Sequence, residues 1–283
     1  MKILALALPF ALAACPWLLS AIGVKLGEGD HDYHRASGQD LTVTVSYPDK
    51  EKHTGPHAAM ILLHGGGWRS GSPAWTASTA DFMVENGIVA LNTQYRLSRD
   101  GLTPKDAMDD ACAALAWTRA NAEALNIDIG RIGFYGVSAG GHLAASTATI
   151  GCGDWVDTPS VLVLYSPAIR TSHDGWFQKL AGDAYGPEDL SPYDHVRFKS
   201  ASTLIISGEE DTLTPHAYAV EFCENMDAVG NICEVEAFEG VGHLLTRNLA
   251  NQESDFDVAP ESIERARAAI LDFLKREGFV DGS

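Results

Sequence analysis

Positive charge is scarce in this chain. The 283 residues include 20 Lys and Arg against 38 Asp and Glu, which gives a formal net charge of -18 at pH 7. Because phosphate backbones attract basic patches, this balance argues against DNA or RNA as a partner. It also argues against docking on anionic lipid by charge, and an acidic surface in itself favours solubility.

Cysteine is also rare, and none of the five cysteines lies in a CxxC pair or in a Cys/His cluster at metal-ligand spacing. The sequence therefore predicts no metal site. Ten positions separate Cys223 and Cys233, so these two can meet and leave Cys112 and Cys152 as a second pair. Four cysteines allow three pairings, and buried free thiols are a further alternative.

The first 24 residues are typical of a targeting segment rather than of a folded domain. Lys2 precedes an apolar run that ends in small residues, the layout of a secretory signal, and the tetrapeptide ending at Cys15 resembles a bacterial lipobox. The apolar run continues to residue 24, so a lipidated signal, a simply cleaved signal and an uncleaved anchor all stay open. Each interpretation predicts that the domain, residues 25–283, is exported: periplasmic, membrane-anchored or secreted.

Segments typical of strands and helices alternate from about residue 40. The predicted strands are 41–48, 58–66, 87–95, 131–137, 161–167, 203–209 and 232–240. The predicted helices are 75–86, 106–125, 138–150, 215–229 and 261–278. Apolar strands separated by helical segments of this length predict an α/β domain with a mostly parallel, doubly wound sheet.

Residues 169–200 interrupt this alternation with aromatic side chains among Gly, Pro and Asp. They include Trp176, Phe177, Tyr185 and Tyr193. A long irregular connection in a compact domain is often functional, which favours a short cap or lid. The alternative is a surface excursion whose aromatic rings pack onto the body.

The segment 136–140 has the pattern G-x-S-x-G between a predicted strand and a helix of small residues. Small flanking residues permit a sharp turn that lifts the Ser138 hydroxyl above the carboxyl edge of the sheet. The amino end of the following helix favours negative charge that develops there. We therefore predict Ser138 as a nucleophile, against the alternative of an ordinary glycine-rich turn.

A serine hydroxyl needs a base, usually a histidine held by a carboxylate. His243 follows the last predicted strand, and Asp211 follows the strand before it. Both positions lie past the carboxyl ends of strands, where sheets of this kind place their sites. Asp211 is the predicted partner of His243, with its neighbours Glu209 and Glu210 as alternatives.

The other histidines are weaker candidates for the base. His142 lies on the predicted nucleophile helix and is expected to point away from Ser138 and to pack in the core. Those that precede the sheet core are expected to be solvated, and three more have no motif around them. The solvated group is His31, His34, His53 and His57, and the second group is His173, His195 and His216.

The segment 64–68, His-Gly-Gly-Gly-Trp, follows the first buried strand. Glycines let backbone N–H groups approach a substrate oxygen and bind it as it becomes an oxyanion, and the residue after the nucleophile, Ala139, supplies a further donor. A plain tight turn is the alternative for the glycines alone. Trp68 and Tyr95 are predicted walls of a substrate pocket, and core packing explains them equally well.

Five segments carry a resemblance to a known family. They are HGGGWRSGS (64–72), TQYRLS (93–98), DIGRIGFYGVSAGGHLAA (128–145), GEEDTLTP (208–215) and GVGH (240–243). Together they resemble the hormone-sensitive-lipase branch of the α/β-hydrolase esterases, and more closely the bacterial feruloyl and acetyl-carbohydrate esterases. The resemblance runs from about residue 40 to the carboxyl terminus.

The resemblance implies an α/β-hydrolase fold and a serine carboxylesterase that acts on short-chain or carbohydrate-linked acyl esters. It implies a triad of Ser138, Asp211 and His243 in the chain order of that fold. It also implies oxyanion donors at Gly66 and Gly67, a loop-ordering role for His64, and no metal or organic cofactor. A serine peptidase, amidase or lactonase would use the same triad, and a noncatalytic envelope-anchored binding protein is the alternative of another class.

Overall fold

The computed structural model describes residues 25–153 and 158–280. The predicted signal or anchor, with Cys15, lies outside this range. Within it, no helix combines the length and the apolar character that crossing a bilayer requires.

The described residues form one sheet of eight strands in the order β1-β2-β4-β3-β5-β6-β7-β8. Strands β3 to β8 are parallel, and β2 pairs antiparallel with β1 and β4. The bounds are β1 Gly29–Ala36, β2 Gln39–Ser46, β3 His57–Leu63, β4 Val89–Thr93, β5 Ile127–Val137, β6 Val161–Tyr165, β7 Ser202–Gly208 and β8 Cys233–Phe238. The mostly parallel sheet agrees with the alternation in the sequence.

Helices cover both faces of this sheet. They are α1 Ala77–Glu85, α2 Pro104–Ala120, α3 Ala139–Thr149, α4 Gly175–Ala181, α5 His216–Ala228 and α6 Pro260–Arg276. All residues of β3 are buried, and they alternate between two cores. Ile61 packs in the core that includes residues of α2, α3 and α5, whereas Met60 packs in the core beneath α1 and α6. A strand buried on both faces is apolar throughout, which is why β3 has a continuous apolar sequence.

Strand β1 is absent from the sequence-based prediction. It pairs with β2 through a tight turn in which Ser37 and Gly38 both have positive φ. Only Tyr33 is buried in this strand of polar and charged residues. Edge strands are often charged, because charge discourages pairing with other chains, and such a strand lacks the apolar pattern used for the prediction.

Two disulfides select one of the three cysteine pairings. Cys112 on α2 bonds to Cys152, which follows α3, and Cys223 on α5 bonds to Cys233 at the start of β8. One bond therefore joins α2 to the segment that follows α3, and the other joins α5 to β8.

The connection 169–200 between β6 and β7 contains α4 and three single-turn 3₁₀ helices. Phe177 is buried, and Tyr185 and Tyr193 pack partly against the core. Trp176 instead remains 44% exposed. These contacts hold the segment on the body of the domain, and its role as a cap or lid stays a prediction.

Candidate active site

Ser138 lies at a strained turn between β5 and α3, with φ 52° and ψ -113°. A non-glycine residue with positive φ is uncommon, and strain of this kind concentrates at functional sites. The two motif glycines permit the turn. A Cβ on Gly140 would lie 2.3 Å from the carbonyl oxygen of Leu63, and one on Gly136 would lie 2.4 Å from the carbonyl oxygen of Gly140. Close backbone packing therefore requires both glycines.

Three of the predicted site residues meet in one hydrogen-bonded chain. Ser138 Oγ lies 3.0 Å from His243 Nε2, and His243 Nδ1 lies 2.8 Å from Asp211 Oδ2. A carboxylate only accepts hydrogen bonds, so this arrangement gives Nδ1 the proton and leaves Nε2 free to accept from the serine hydroxyl. His243 and Asp211 are both buried. They follow β8 and β7, so the carboxyl edge of the parallel strands brings the three side chains together.

The carboxylate of Asp211 has a fixed orientation. Its Oδ1 accepts from the backbone N–H groups of Leu213 and Thr214 at 2.9 and 2.8 Å. Its Oδ2 accepts from the Thr214 hydroxyl at 2.7 Å, in addition to its contact with the imidazole. Glu209 and Glu210, the two alternatives from the sequence, are exposed. The structure therefore pairs the histidine with Asp211.

Gln252 is a site residue that the sequence reasoning missed. Its Oε1 accepts from the backbone N–H groups of His243 at 2.9 Å and Thr212 at 3.1 Å, and its Nε2 donates to the Glu210 carbonyl at 2.9 Å. A Cβ on Gly242 would lie 2.3 Å from the Gln252 Cδ atom, so glycine makes room for this side chain. Gln252 lies in a polar stretch that is typical of a surface loop, and no motif in the sequence distinguishes it.

The glycine loop that follows β3 lies directly beside the serine. A Cβ on Gly65 would be 3.4 Å from the Cβ of Ser138. Gly66 and Gly67 have φ values of +116° and +58°, a conformation that favours glycine. Ala139 is the first residue of α3, and helices leave the amides of their first turn without an intrahelical acceptor. The three predicted oxyanion donors thus belong to the two segments that flank the serine.

His64 orders this loop. Its Nδ1 lies 2.7 Å from the Gly65 carbonyl oxygen, and its ring stacks on Tyr95 at a centroid distance of 4.2 Å. The Tyr95 hydroxyl donates to the His64 carbonyl at 2.7 Å, and burial lowers the pKa of His64. Trp68 and Tyr95 are each only 2% exposed. Both side chains pack in the core, as the alternative expects, and their role as pocket walls stays a prediction.

Two other histidines have environments that the structure defines. His142 is buried on α3, accepts from Trp68 Nε1 at 3.1 Å, and has its Nε2 2.7 Å from the Leu190 carbonyl oxygen. Burial lowers the pKa of His142 to about 4, and its packing role agrees with the prediction. His57, expected to be solvated, is instead buried, because it begins the fully buried strand β3.

A cleft of about 220 Å³ opens beside the Asp211 loop. Its walls come from two loops and from Tyr218 on α5; they are residues 167–171, 173–175, 212–215 and 218. The Ala168 N–H donates to the Ser138 carbonyl at 3.2 Å, so the cleft adjoins the nucleophile turn. Arg170 lines the cleft and pairs with Glu221 at 2.8 Å. Across the described ranges, no cluster of His, Cys, Asp and Glu side chains has a geometry that could hold a metal ion.

The chain is similar to known ester hydrolases. The family model described as BD-FAE matches residues 45–161. Ethyl acetate hydrolase of Pseudomonas putida is 26% identical over 234 residues, which cover 74% of this chain and 73% of that protein. A thermophilic esterase of the planctomycete Thermogutta terrifontis, esterase 2, has been solved with propionate bound. It is 28% identical, superposes with a TM-score of 0.78, and the match covers 91% of this chain and 97% of that one.

Some relatives are far longer than this chain. The non-reducing polyketide synthase atr1 of Stereocaulon alpinum is 31% identical over 177 residues, which are 59% of this chain but only 7% of that protein. The likeness there is confined to one part of a large protein. The match to the solved esterase, in contrast, covers nearly the whole of both chains. The sheet order and the superposition on the solved esterase confirm the predicted α/β-hydrolase fold, and the proteins that this chain resembles over most of its length are esterases or ester hydrolases.

Proposed function

We propose that the protein is an exported serine carboxylic ester hydrolase that acts on short-chain or carbohydrate-linked acyl esters. The observation that carries this proposal is the hydrogen-bonded chain from Ser138 Oγ through His243 to Asp211. It stands at a strained turn that faces a glycine loop. This is the arrangement that nucleophilic acyl transfer requires.

In the acylation step, Ser138 Oγ attacks the ester carbonyl carbon while His243 Nε2 takes the hydroxyl proton. Asp211 accepts a hydrogen bond from the Nδ1–H group of His243. It thereby keeps the imidazole in the productive tautomer and stabilises its protonated form. The protonated His243 then donates its proton to the leaving alcohol oxygen, and an acyl-serine remains. Water, activated by the same histidine, attacks the acyl carbon, releases the acid and restores the hydroxyl of Ser138.

The carbonyl oxygen gains negative charge in both steps. The backbone N–H groups of Gly66, Gly67 and Ala139 are the donors that bind it in this proposal. Removal of one donor of this type costs about 3 kcal/mol of transition-state stabilisation. Ala139 is buried, and a buried position strengthens such a contact because less water competes for the oxyanion.

Two relatives support a short acyl group. One is an ethyl acetate hydrolase, and the other has been solved with propionate bound. The carbohydrate-linked part of the proposal rests on the motif resemblance and on the N-terminal apolar segment that follows Lys2. An exported enzyme meets environmental and polymer-derived esters, which include acylated sugars.

The test is hydrolysis of p-nitrophenyl esters from acetate to palmitate by the full chain, beside Ser138→Ala and a control, Ser254→Ala, at an exposed serine. We expect the highest rates with acetate to butyrate, loss of hydrolysis in Ser138→Ala, and wild-type rates in the control. A folded protein that hydrolyses none of these esters would contradict the proposal. Hydrolysis of p-nitrophenyl acetate but of no acetylated or feruloylated oligosaccharide would contradict its carbohydrate part. Faster cleavage of the matching p-nitroanilides would favour an amidase.

A further inference from the structure

Two adjacent residues of the connection 169–200 contact two adjacent residues of the glycine loop. Trp176 Nε1 donates to the Gly67 carbonyl at 3.1 Å, and the Phe177 ring packs edge-on against Trp68 at a centroid distance of 4.9 Å. A Cβ on Gly67 would lie 3.2 Å from Trp176 Nε1. A residue other than glycine would therefore crowd the indole, so the loop conformation and the position of Trp176 depend on each other.

Helix α4, which carries both aromatic residues, is itself held firmly. Asp174 Oδ1 accepts from the backbone N–H groups of Trp176 and Phe177 at 2.9 and 3.0 Å, which caps the helix. Phe177 is buried and also packs against His142 on α3, at a centroid distance of 4.9 Å. Since His142 contacts the Leu190 carbonyl, the connection 169–200 is fixed to α3 at two points. Trp176 therefore has a rigid base.

The ring of Trp176 is much less buried than that of its neighbour. With 44% of its surface exposed, Trp176 is packed less completely than Phe177, and its directed contact with the body is the hydrogen bond from the indole N–H to the Gly67 carbonyl. Gly67 stands in a left-handed conformation, and glycine has wide conformational freedom. A carbonyl anchored by a directed hydrogen bond has fewer orientations available, and so do the peptide planes that adjoin it.

We propose that Trp176 is a positioning residue for the oxyanion loop: its indole N–H holds the Gly67 carbonyl, and thereby aims the amides of Gly66 and Gly67 at the substrate oxygen. This inference rests on the proposed esterase function and assigns a role in it to the connection 169–200. Oxyanion donors act only when they point at the place where charge develops, so a small misorientation of the loop lowers kcat more than substrate binding.

The test removes the N–H but keeps an aromatic ring. Trp176→Phe is compared with Trp176→Ala and with Trp117→Phe, a tryptophan on α2 that contacts His31. The readouts are kcat and KM with p-nitrophenyl acetate, inhibition by a trifluoromethyl ketone, which forms a tetrahedral oxyanion on the serine, and thermal unfolding. We expect Trp176→Phe to lower kcat roughly 10-fold to 100-fold with little change in KM, and to weaken the inhibitor by a similar factor. Trp176→Ala should lose at least as much, and the control should match the wild type.

Two outcomes would overturn the inference while the wild-type protein is active. One is a wild-type kcat and inhibition constant in Trp176→Phe. The other is a change in KM alone, which would make Trp176 a wall of the substrate site. A wild-type protein that neither hydrolyses the ester nor binds the ketone would overturn the proposed function and this inference together.

Discussion

The side chain of Gln252 accepts a hydrogen bond from the backbone N–H of His243 at 2.9 Å. The same oxygen accepts from the backbone of Thr212, the residue after Asp211. One buried amide thus joins the two loops that carry His243 and Asp211. These two hydrogen bonds connect the proposed triad to a part of the chain that has no recognisable motif.

Replacement of this amide by an apolar side chain should loosen the triad. In Gln252→Leu the backbone N–H groups of His243 and Thr212 lose their acceptor, and the buried one, that of His243, costs about 1–3 kcal/mol when it is unsatisfied. We expect a lower free energy of unfolding in urea and a kcat/KM for p-nitrophenyl acetate reduced roughly tenfold or more. Gln39→Leu, at an exposed end of β2, is the matched control and should change neither quantity. Wild-type kcat/KM in Gln252→Leu would contradict the assignment.

Asp211 should be the carboxylate on which the histidine depends. Asparagine keeps the shape of the aspartate side chain, but it is uncharged and has an NH₂ group in place of one carboxylate oxygen. It therefore favours the wrong imidazole tautomer. A substitution of this kind in a serine triad lowers kcat about 10⁴-fold, and we expect a loss of that order in Asp211→Asn. Glu209→Gln removes an exposed neighbouring charge and should retain activity. If Glu209→Gln instead lost the activity and Asp211→Asn kept it, the assignment would be wrong.

His142 should make the stability of the fold depend on pH. Burial lowers the pKa of His142 from 6.5 to about 4. Between these two pH values the unfolded chain binds a proton that the folded chain does not. The neutral imidazole of His142 therefore gives its full contribution to the free energy of unfolding above pH 6.5. This contribution declines as the pH falls and is lost near pH 4. It amounts to about 3 kcal/mol, since each pKa unit corresponds to about 1.4 kcal/mol.

The corresponding measurement is urea unfolding at several pH values between 4 and 7, for the wild type and for His142→Gln. Glutamine does not titrate, so the stability of the variant should fall less steeply on acidification, by about the same 3 kcal/mol. Equal slopes for the two proteins would show that His142 does not carry this pH dependence.

Gly140 should tolerate no side chain. A Cβ there would lie 2.3 Å from the Leu63 carbonyl oxygen, so alanine must displace backbone, and overpacking of this kind costs about 1–3 kcal/mol. Gly27, shortly before β1, offers a control because a Cβ on it meets nothing within 4 Å. We expect Gly140→Ala to lower the thermal midpoint and the hydrolysis rate, and Gly27→Ala to leave both near the wild type. Equal effects of the two substitutions would contradict the packing argument.

Much of the fold could be predicted because its determinants are local. Continuous apolar runs predict β3 to β7, since a parallel strand covered on both faces is apolar at every position. The positions of Ser138, Asp211 and His243 follow from the same alternation. Each comes after a strand, and the carboxyl ends of neighbouring parallel strands meet at one edge. The glycines at 136 and 140 can also be predicted from local sequence, because a sharp turn needs small residues wherever it lies.

Other features depended on contacts between distant parts of the chain, which no local pattern encodes. Tyr95 is an interior residue that contacts His64 at a sequence separation of 31 residues. Trp68 is an interior residue whose indole N–H donates a hydrogen bond to His142, 74 residues away. The contact of Trp176 with Gly67 spans 109 residues. The sequence alone thus determined which residues could do chemistry, whereas the tertiary structure decided which side chains hold them in place. Burial and hydrogen bonding are properties of three-dimensional neighbours, and a polar or aromatic residue looks the same in the sequence whether it meets water or the core.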